Sequence, residues 1–202
     1  MNALLLNFSD TKNTLKSLLK LAIYVTILII ALIPFGLKDQ FEFGKLLGIA
    51  ALFSFILTTI PGDIRRFGLG GMFRQIQMLL TFCRAQLGIL MFLLASAHYL
   101  IVFISPIIAS GEMPTLKLYT TFGALALYSC FPLFVTSNTW SKRVLKQNWQ
   151  KLHSLTYLIM WFIFLHVAFQ SELKVALLVL LAGLAQLSSL FYSFLTKPAK
   201  TV

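Results

Sequence analysis

The residues best able to do chemistry in this 202-residue sequence are three histidines, His98, His153 and His166. Each lies in, or at the edge of, a long apolar segment. An ionisable side chain inside a bilayer is costly, so it is a functional candidate by default. The alternative for any one of them is a histidine that is packed and hydrogen-bonded in the core. Three histidines in such positions favour a functional role.

His98 and His166 are predicted to reach the same depth in the membrane. His98 follows Arg84 by 14 residues and His166 follows Lys151 by 15. At about 1.5 Å per residue, each imidazole is then roughly 21–22 Å beyond a basic residue at the membrane edge. Two imidazoles from different helices at one level can take both axial positions of a haem iron. His153 is only about 3 Å beyond Lys151, so it belongs to the other edge.

Other chemistries suit these residues less well. Zinc needs three or four converging ligands, and only two histidines share a depth. Proton transport and hydrolysis favour carboxylates in the spans, and all six acidic residues are predicted outside them. Cys83 and Cys130 form no CxxCH motif, so covalent haem is not indicated and packing is expected. An axial ligand from Met91 or Met160 is an alternative, less favoured than core packing.

The composition predicts the elements that position these side chains. Hydrophobic residues make up 58% of the chain and charged residues 11%, whereas soluble domains have about 45–50% and about 25%. We therefore expect an all-α integral membrane protein, a single domain over 1–202 with no sizeable soluble part. A spanning helix needs about 20 apolar residues, which allows a bundle of six transmembrane helices. The six predicted spans are Leu18–Leu37, Leu46–Ile60, Leu87–Ser105, Leu118–Val135, Leu152–Phe169 and Val175–Leu195.

The charges predict the orientation of the bundle. The net charge is +11. With six spans, both termini and the 61–86 and 137–151 loops share one side, which has thirteen cations and two acidic residues. The other side has four of each. The positive-inside rule makes the first side cytoplasmic, with both the N- and C-termini inside, and explains the basic charge without nucleic acid.

The 61–86 loop is predicted to contain a short helix of its own. Phe73, Ile76, Leu79 and Leu80 recur at helical spacing with polar residues between them. Such an amphipathic segment is typical of a helix that lies in the membrane interface.

Several blocks of the sequence resemble one known family. The stretch 135–166 reads VTSNTWSKRVLKQNWQKLHSLTYLIMWFIFLH, residues 58–66 read TTIPGDIRR, and residues 119–123 read YTTFG. Together with the Ala97-His98 pair, they are similar in order and content to the haem-binding membrane subunits of bacterial methionine sulfoxide reductase systems. Those subunits belong to the ferric reductase-like transmembrane superfamily. The resemblance is strongest over 44–170.

The resemblance implies a b-type cytochrome with six helices in the bacterial inner membrane. Members of the family take electrons from a cytoplasmic flavin reductase or from membrane quinol. They pass them outward to a periplasmic molybdopterin-dependent subunit that repairs oxidised methionine. The chain would then be an electron-transfer subunit rather than the catalytic subunit. Two alternatives stay open: a related cytochrome with another acceptor, and a haem-free membrane scaffold or transporter.

The resemblance also implies roles for the histidines. His98 and His166 match the family's haem ligands, so one haem b is expected there. His153 matches a third family histidine that is linked with a second haem, and flavin mononucleotide has been associated with the family. One departure is Arg84, which stands where a further ligand could lie. Another is the spacing of His153 and His166, which a straight helix would place roughly 140° apart.

The basic residues near His153 are candidate contacts for an anionic cofactor. Arg84, Arg143 and Lys151 are expected to meet haem propionates or a flavin phosphate. An anchor for lipid headgroups is an equal alternative for Arg84. If the donor is cytoplasmic, the His98–His166 level is roughly 20 Å away from it. A further carrier near His153 is then required, and quinol bound within the membrane would remove that requirement.

Overall fold

The computed structural model describes residues 2–32, 41–112, 115, 117–170 and 172–196. All regular structure in these ranges is helical. The elements in chain order are α1 (Asn2–Leu32), α2 (Phe41–Phe67), α3 (Met72–Tyr99), a π-helical turn (Leu100–Ile104), α4 (Ser105–Ser110), α5 (Leu118–Val135), α6 (Thr139–Leu145), α7 (Gln147–His153), α8 (Leu155–Phe169) and α9 (Leu173–Leu195).

Six stretches of the described residues are long and apolar enough to cross a membrane. They are Asp10–Ile30, Phe41–Phe67, Met72–Ser110, Leu118–Val135, Gln147–Phe169 and Leu173–Leu195. Large apolar side chains on these helices face outward, among them Leu21, Leu181 and Phe194 with 60%, 67% and 76% of their surface exposed. Such a surface suits lipid rather than water. The predicted all-helical membrane fold with six spans is confirmed.

Five of the spans form a closed ring. Helix α2 packs against α3, α3 against α5, α5 against α8, α8 against α9, and α9 against α2. Helix α1 lies outside the ring and packs mainly against α3. The interior holds a core cluster that draws residues from all five helices, including Phe55, Met91, Cys130, Ile159 and Val179. The ring thus surrounds a common interior in which side chains from different helices meet.

The two ends of the bundle differ in charge. One end holds the connection 68–71 between α2 and α3 and the bend formed by α6 and α7, and we call it the basic end. Lys142, Arg143 and Lys151 lie at this end. The opposite end holds the beginnings of α2, α5 and α9. Chain direction alternates from span to span, so α3 and α8 both run from the basic end to the opposite end.

Helices α2 and α3 are longer than the sequence predicted. Helix α2 continues through Pro61 to Phe67, so Asp63 lies in a helix and not in a loop. Helix α3 begins at Met72, and the prediction of a separate interfacial helix in the 61–86 segment is wrong. The segment with Gly68, Gly70 and Gly71 separates α2 from α3. No glycine or proline lies between Met72 and Leu87 to end a helix.

The Met72–Ser110 span is far longer than a bilayer requires. Its 39 residues correspond to roughly 58 Å, against a hydrocarbon thickness of about 30 Å. We expect the first turns of α3, which contain Arg74, to extend beyond the hydrocarbon at the basic end, and Arg84 to lie near the membrane edge.

Two other spans also differ in detail from the prediction. The predicted first span ends at Leu37, and residues 33–40 lie outside the described ranges. The predicted fifth span begins at Leu152, but Ser154 separates α7 from α8. His153 therefore ends α7, although Ser154 keeps a helical backbone conformation and α7 and α8 together form the span Gln147–Phe169. Beyond His98, the Ser105 amide donates to the Leu100 carbonyl five residues back, which widens the turn before Pro106.

A polar cluster joins α2, α8 and α9 near the basic end. Arg66 donates to Asp63 at 3.0 Å and to the Ser189 hydroxyl at 3.0 Å. Ser189 donates to Asp63 at 2.7 Å, and Arg66 also donates to the Tyr157 hydroxyl. Asp63 and Arg66 expose only 16% and 18% of their side chains. Two charges of α2, which the sequence assigned to a loop, are thus satisfied by each other and by hydroxyl groups of α8 and α9.

Replacing Asp63 with alanine is expected to lower the stability of the bundle. The change removes the carboxylate that accepts from Arg66 and Ser189, so Arg66 keeps only the neutral hydroxyls of Ser189 and Tyr157 as partners. A hydrogen bond to a charged group contributes about 1.5–3 kcal/mol. We expect a lower unfolding temperature in detergent. Ser193→Ala is the matched control, because Ser193 donates only within α9, to the Leu190 carbonyl. Equal melting of the Asp63→Ala and Ser193→Ala variants would contradict this role of the cluster.

Candidate cofactor sites

His98 on α3 and His166 on α8 lie side by side in the interior, and we call them the histidine pair. Their ring centroids are 6.3 Å apart and their planes are inclined by 76°. A metal–imidazole bond of about 2 Å, plus about 1.1 Å from nitrogen to ring centre, puts the centroids of two opposed imidazoles about 6.2 Å apart. The spacing of the pair therefore suits one metal ion between two axial nitrogens.

Each ring of the histidine pair is held by a backbone carbonyl of a neighbouring helix. Nδ1 of His98 lies 2.8 Å from the Gly44 carbonyl oxygen on α2. Nδ1 of His166 lies 2.7 Å from the Tyr119 carbonyl oxygen on α5. A carbonyl only accepts, so Nδ1 carries the proton in both rings and Nε2 keeps its lone pair. Metal-binding histidines typically donate their other N–H in this way, which fixes the tautomer and the orientation.

Glycines make room for both rings. A Cβ atom on Gly48 would lie 3.0 Å from Nδ1 of His98, and one on Gly123 would lie 2.7 Å from Nδ1 of His166. Neither glycine was predicted to be part of a site from the sequence. One signal was present: Gly44 and Gly48 form a GxxxG pattern, which is typical of closely approaching membrane helices.

Two cavities adjoin the histidine pair. One of about 110 Å³ extends towards the basic end and is lined by small and apolar residues such as Ala95, Ala126 and Leu127. The other, of about 150 Å³, extends towards the opposite end and is lined in part by Lys45, Gln170 and Glu172. Both cavities are bounded by His98 and His166. The space beside the rings is thus apolar in the interior and polar near the opposite end.

A larger cavity of about 310 Å³ lies at the basic end, and we call it the basic-end cavity. Its lining includes His153, Arg84 and Lys142, together with the hydroxyls of Thr81, Ser137 and Thr156. The structure thus brings His153 and Arg84 to one cavity, as the sequence analysis expected of residues near this end. The two cations, Arg84 and Lys142, would favour an anionic ligand there.

His153 is held differently from the histidine pair. Its Nε2 lies 3.1 Å from the Thr136 hydroxyl oxygen, and its ring stacks on Trp149 with centroids 4.0 Å apart. Trp149 in turn donates to the Thr136 carbonyl at 2.9 Å, and Lys142 Nζ lies 4.6 Å from its ring centre. Since Nε2 of His153 is engaged, Nδ1 is the nitrogen without a protein partner among the described residues.

The structure separates the three predicted basic contacts. Arg84 lines the basic-end cavity, whereas Arg143 and Lys151 do not. Lys142, the neighbour of Arg143, is there instead. Adjacent residues on a helix point about 100° apart. The adjacent residues Lys142 and Arg143 therefore predict a cation at this end of the bundle. The rotation of α6 about its axis decides that Lys142, and not Arg143, reaches the cavity.

Phe55 and Met91 stand between the basic-end cavity and the histidine pair. Each lines both the 110 Å³ cavity and the basic-end cavity. Phe55 is fully buried and Met91 nearly so. Met160 is fully buried in the core cluster, and both cysteines are free and buried. These positions suit packing, which the sequence analysis preferred for both methionines and both cysteines.

Fold and site together define a class of protein. It is a multi-pass helical membrane protein in which two histidines from different spans are spaced for a shared metal. Residues 47–169 match the family described as Ferric reductase like transmembrane component. The match covers more than half of the chain, and the chain belongs to this family.

The chain is also similar to particular family members. It is 38% identical over 120 residues to the "Protein-methionine-sulfoxide reductase heme-binding subunit MsrQ" of Rhizobium meliloti (strain 1021), which covers 58% of this chain and 53% of that protein. It is 34% identical over 88 residues to the protein of the same name from Yersinia enterocolitica serotype O:8 / biotype 1B (strain NCTC 13174 / 8081). This second match covers 41% of this chain and 44% of that protein. The chain thus spans about half the length of these relatives. No solved structure matches it. The resemblance identified in the sequence is confirmed.

Proposed function

We propose that the chain is a b-type cytochrome, the membrane subunit that conducts electrons across the bilayer for a methionine sulfoxide reductase system. The observation that carries the proposal is the histidine pair, whose centroid spacing of 6.3 Å suits two axial ligands of one iron. The similarity to two haem-binding subunits named MsrQ supports the choice of haem and of this system. The chain is then an electron-transfer subunit and not the catalytic one.

His98 and His166 would hold the haem iron through Nε2, with each Nδ1 proton fixed on a backbone carbonyl. A bound haem supplies a one-electron iron couple. The protein's part is to orient both imidazoles and to enclose the macrocycle in apolar surface. Lys45, which pairs with Glu42 at 3.2 Å, lines the cavity towards the opposite end and would be the cation nearest to propionate groups on that side.

The basic-end cavity is proposed as the place where electrons enter the chain. Arg84 and Lys142 would attract a phosphate or carboxylate group, and His153 with Trp149 provides a stacked aromatic wall. A flavin or a second haem is the proposed occupant, as an intermediate carrier. A second haem would need Nδ1 of His153 as its ligand, because Nε2 faces Thr136. A flavin needs no such ligand, and the two cations would suit either a flavin phosphate or the haem propionates. Arg143 and Lys151 lie outside the cavity and would act at its approach.

The basic end is proposed to face the cytoplasm, with both termini inside the cell. Electrons would then pass from a cytoplasmic flavin reductase, or from membrane quinol, towards a periplasmic molybdopterin-dependent reductase subunit. We expect a green fluorescent protein fused after Val202 to fluoresce, because it folds in the cytoplasm. Alkaline phosphatase fused at the same position should be inactive, because it needs the periplasm to form its disulfides. Alkaline phosphatase inserted at Gly111, between α4 and α5, should be active. The reverse pattern of activities would contradict this orientation.

The function itself is tested on the purified protein in detergent. We expect a Soret band, haem b by pyridine haemochrome assay, and reduction by reduced flavin or by quinol. Oxidation by the partner molybdoenzyme with methionine sulfoxide present separates this function from a related cytochrome with another acceptor. A preparation without haem would point instead to a scaffold or transporter. One haem, no flavin and no response to quinol, combined with fast reduction by a flavin reductase, would contradict the need for an intermediate carrier.

A further inference from the structure

We propose that Gly48 and Gly123 are positioning residues that set the orientation of the two imidazoles towards the metal. The inference rests on the proposed haem function and adds to it the means by which neighbouring helices hold the ligands. It concerns α2 and α5, which supply neither of the two ligands.

Both ligands are held by the same arrangement. His98 donates to the carbonyl of Gly44, and Gly48 follows one helical turn later on α2. His166 donates to the carbonyl of Tyr119, and Gly123 follows one turn later on α5. Residues four apart on a helix share a face. In each case one helix face therefore offers an acceptor and, beside it, a position without a side chain in which the imidazole lies.

The space at each glycine is smaller than a methyl group requires. A Cβ on Gly123 would lie 2.7 Å from Nδ1 and 2.8 Å from Cε1 of His166. A Cβ on Gly48 would lie 3.0 Å from Nδ1 and 3.1 Å from Cε1 of His98. The imidazole cannot move aside freely, because its Nδ1 proton is bound to a carbonyl and its Nε2 is needed by the metal. A methyl group would tilt the ring or break one of these two bonds.

Close approach at a glycine is concentrated at this site. Among the described glycines, Cβ distances of 3.0 Å or less occur only at Gly44, Gly48 and Gly123. At Gly44 the near atoms belong to Val102 and Ile101, so that contact is helix packing, whereas at Gly48 and Gly123 they belong to the imidazoles. At Gly183, also inside a helix, the nearest atom would be Met160 Cγ at 3.5 Å, an ordinary contact. Gly48 and Gly123 are thus the described glycines whose missing side chain is replaced by an imidazole ring.

The test compares Gly123→Ala, Gly48→Ala and Gly183→Ala with the wild type, each purified in detergent. The affinity for haem is expected to fall by about 10–100-fold in Gly123→Ala, as for other residues that orient metal ligands. Gly48→Ala should lose less, since its contact is less severe. Haem that stays bound in either variant should show a shifted low-spin electron paramagnetic resonance signal and a shifted reduction potential. Gly183→Ala should match the wild type in signal and potential.

Two results would overturn the inference. One is a wild-type signal and potential in both Gly48→Ala and Gly123→Ala. The other is an equal change in Gly183→Ala, which would indicate general packing. If Gly123→Ala does not accumulate, Gly48→Ala with its milder contact decides, and its melting temperature is compared with that of Gly183→Ala. A wild-type protein without haem would refute the proposed function instead, so the two failures are distinguishable.

Discussion

Replacing His98 or His166 with alanine is expected to remove most of the bound haem. Each change deletes one of two axial ligands, so the loss should exceed the about 10–100-fold that changes around a ligand typically cost. Haem that is still bound should be high-spin with a shifted Soret band. The measurement is the haem-to-protein ratio of the purified variants, together with their optical and electron paramagnetic resonance spectra.

Met91→Leu is the matched control for the histidine variants. Met91 lines the same cavity as the histidine pair and is the alternative axial ligand on α3. Leucine conserves its volume, and such a change usually costs less than about 1.5 kcal/mol of stability. We expect this variant to keep its haem and its spectrum. Full haem and an unchanged spectrum in His98→Ala would show that the ligands are misassigned, and loss of the low-spin signal in Met91→Leu would point to methionine ligation.

Replacing His153 with alanine is expected to slow reduction from the basic end while the haem at the histidine pair stays bound. His153 forms part of the wall of the basic-end cavity and lies roughly 20 Å along the span from His166. Arg84→Gln should act on the same step by removing a cation from an anionic carrier or donor. A charge-assisted hydrogen bond contributes about 1.5–3 kcal/mol, so affinity for reduced flavin should fall about tenfold or more. Stopped-flow measurements at varied concentrations of reduced flavin give both the rate of reduction and the affinity for reduced flavin.

Arg74→Gln controls for the loss of positive charge as such. Arg74 lies on α3 near the same end of the bundle but does not line the cavity. We expect a small effect that disappears at high ionic strength, since exposed charges are screened. Unchanged reduction kinetics in His153→Ala and Arg84→Gln would count against a role for this cavity. Equal effects in Arg84→Gln and Arg74→Gln would indicate attraction by the whole basic end instead.

The histidine pair illustrates how much of a site can be predicted when the argument is local. Hydrophobic length identifies the spans, alternation of spans assigns their direction, and helical rise gives the depth of a residue. His98 and His166 were matched in this way, and the structure brings their rings together. The same reasoning placed His153 near the other end. None of these steps depends on which helix is the neighbour of which.

The basic residues illustrate where local reasoning fails. A count of charges along the sequence does not distinguish Arg143 from its neighbour Lys142. In the structure, Lys142 lines the basic-end cavity and Arg143 does not. Likewise, Asp63 was assigned to a loop, yet it lies in α2 and joins a cluster with residues of α8 and α9. Both outcomes depend on the rotation of a helix about its axis and on its lateral contacts.

The sequence by itself determined the membrane class, the six spans, the one-sided charge and the common depth of two histidines. These properties follow from hydrophobicity and helical rise, which are local. Only the tertiary structure decided that Nδ1 of each ring donates to a neighbouring carbonyl, that Gly48 and Gly123 leave room for the rings, and that Nε2 is the free nitrogen. These features arise where an imidazole of one helix packs against the backbone of a neighbouring helix, and that contact is a property of the packed bundle.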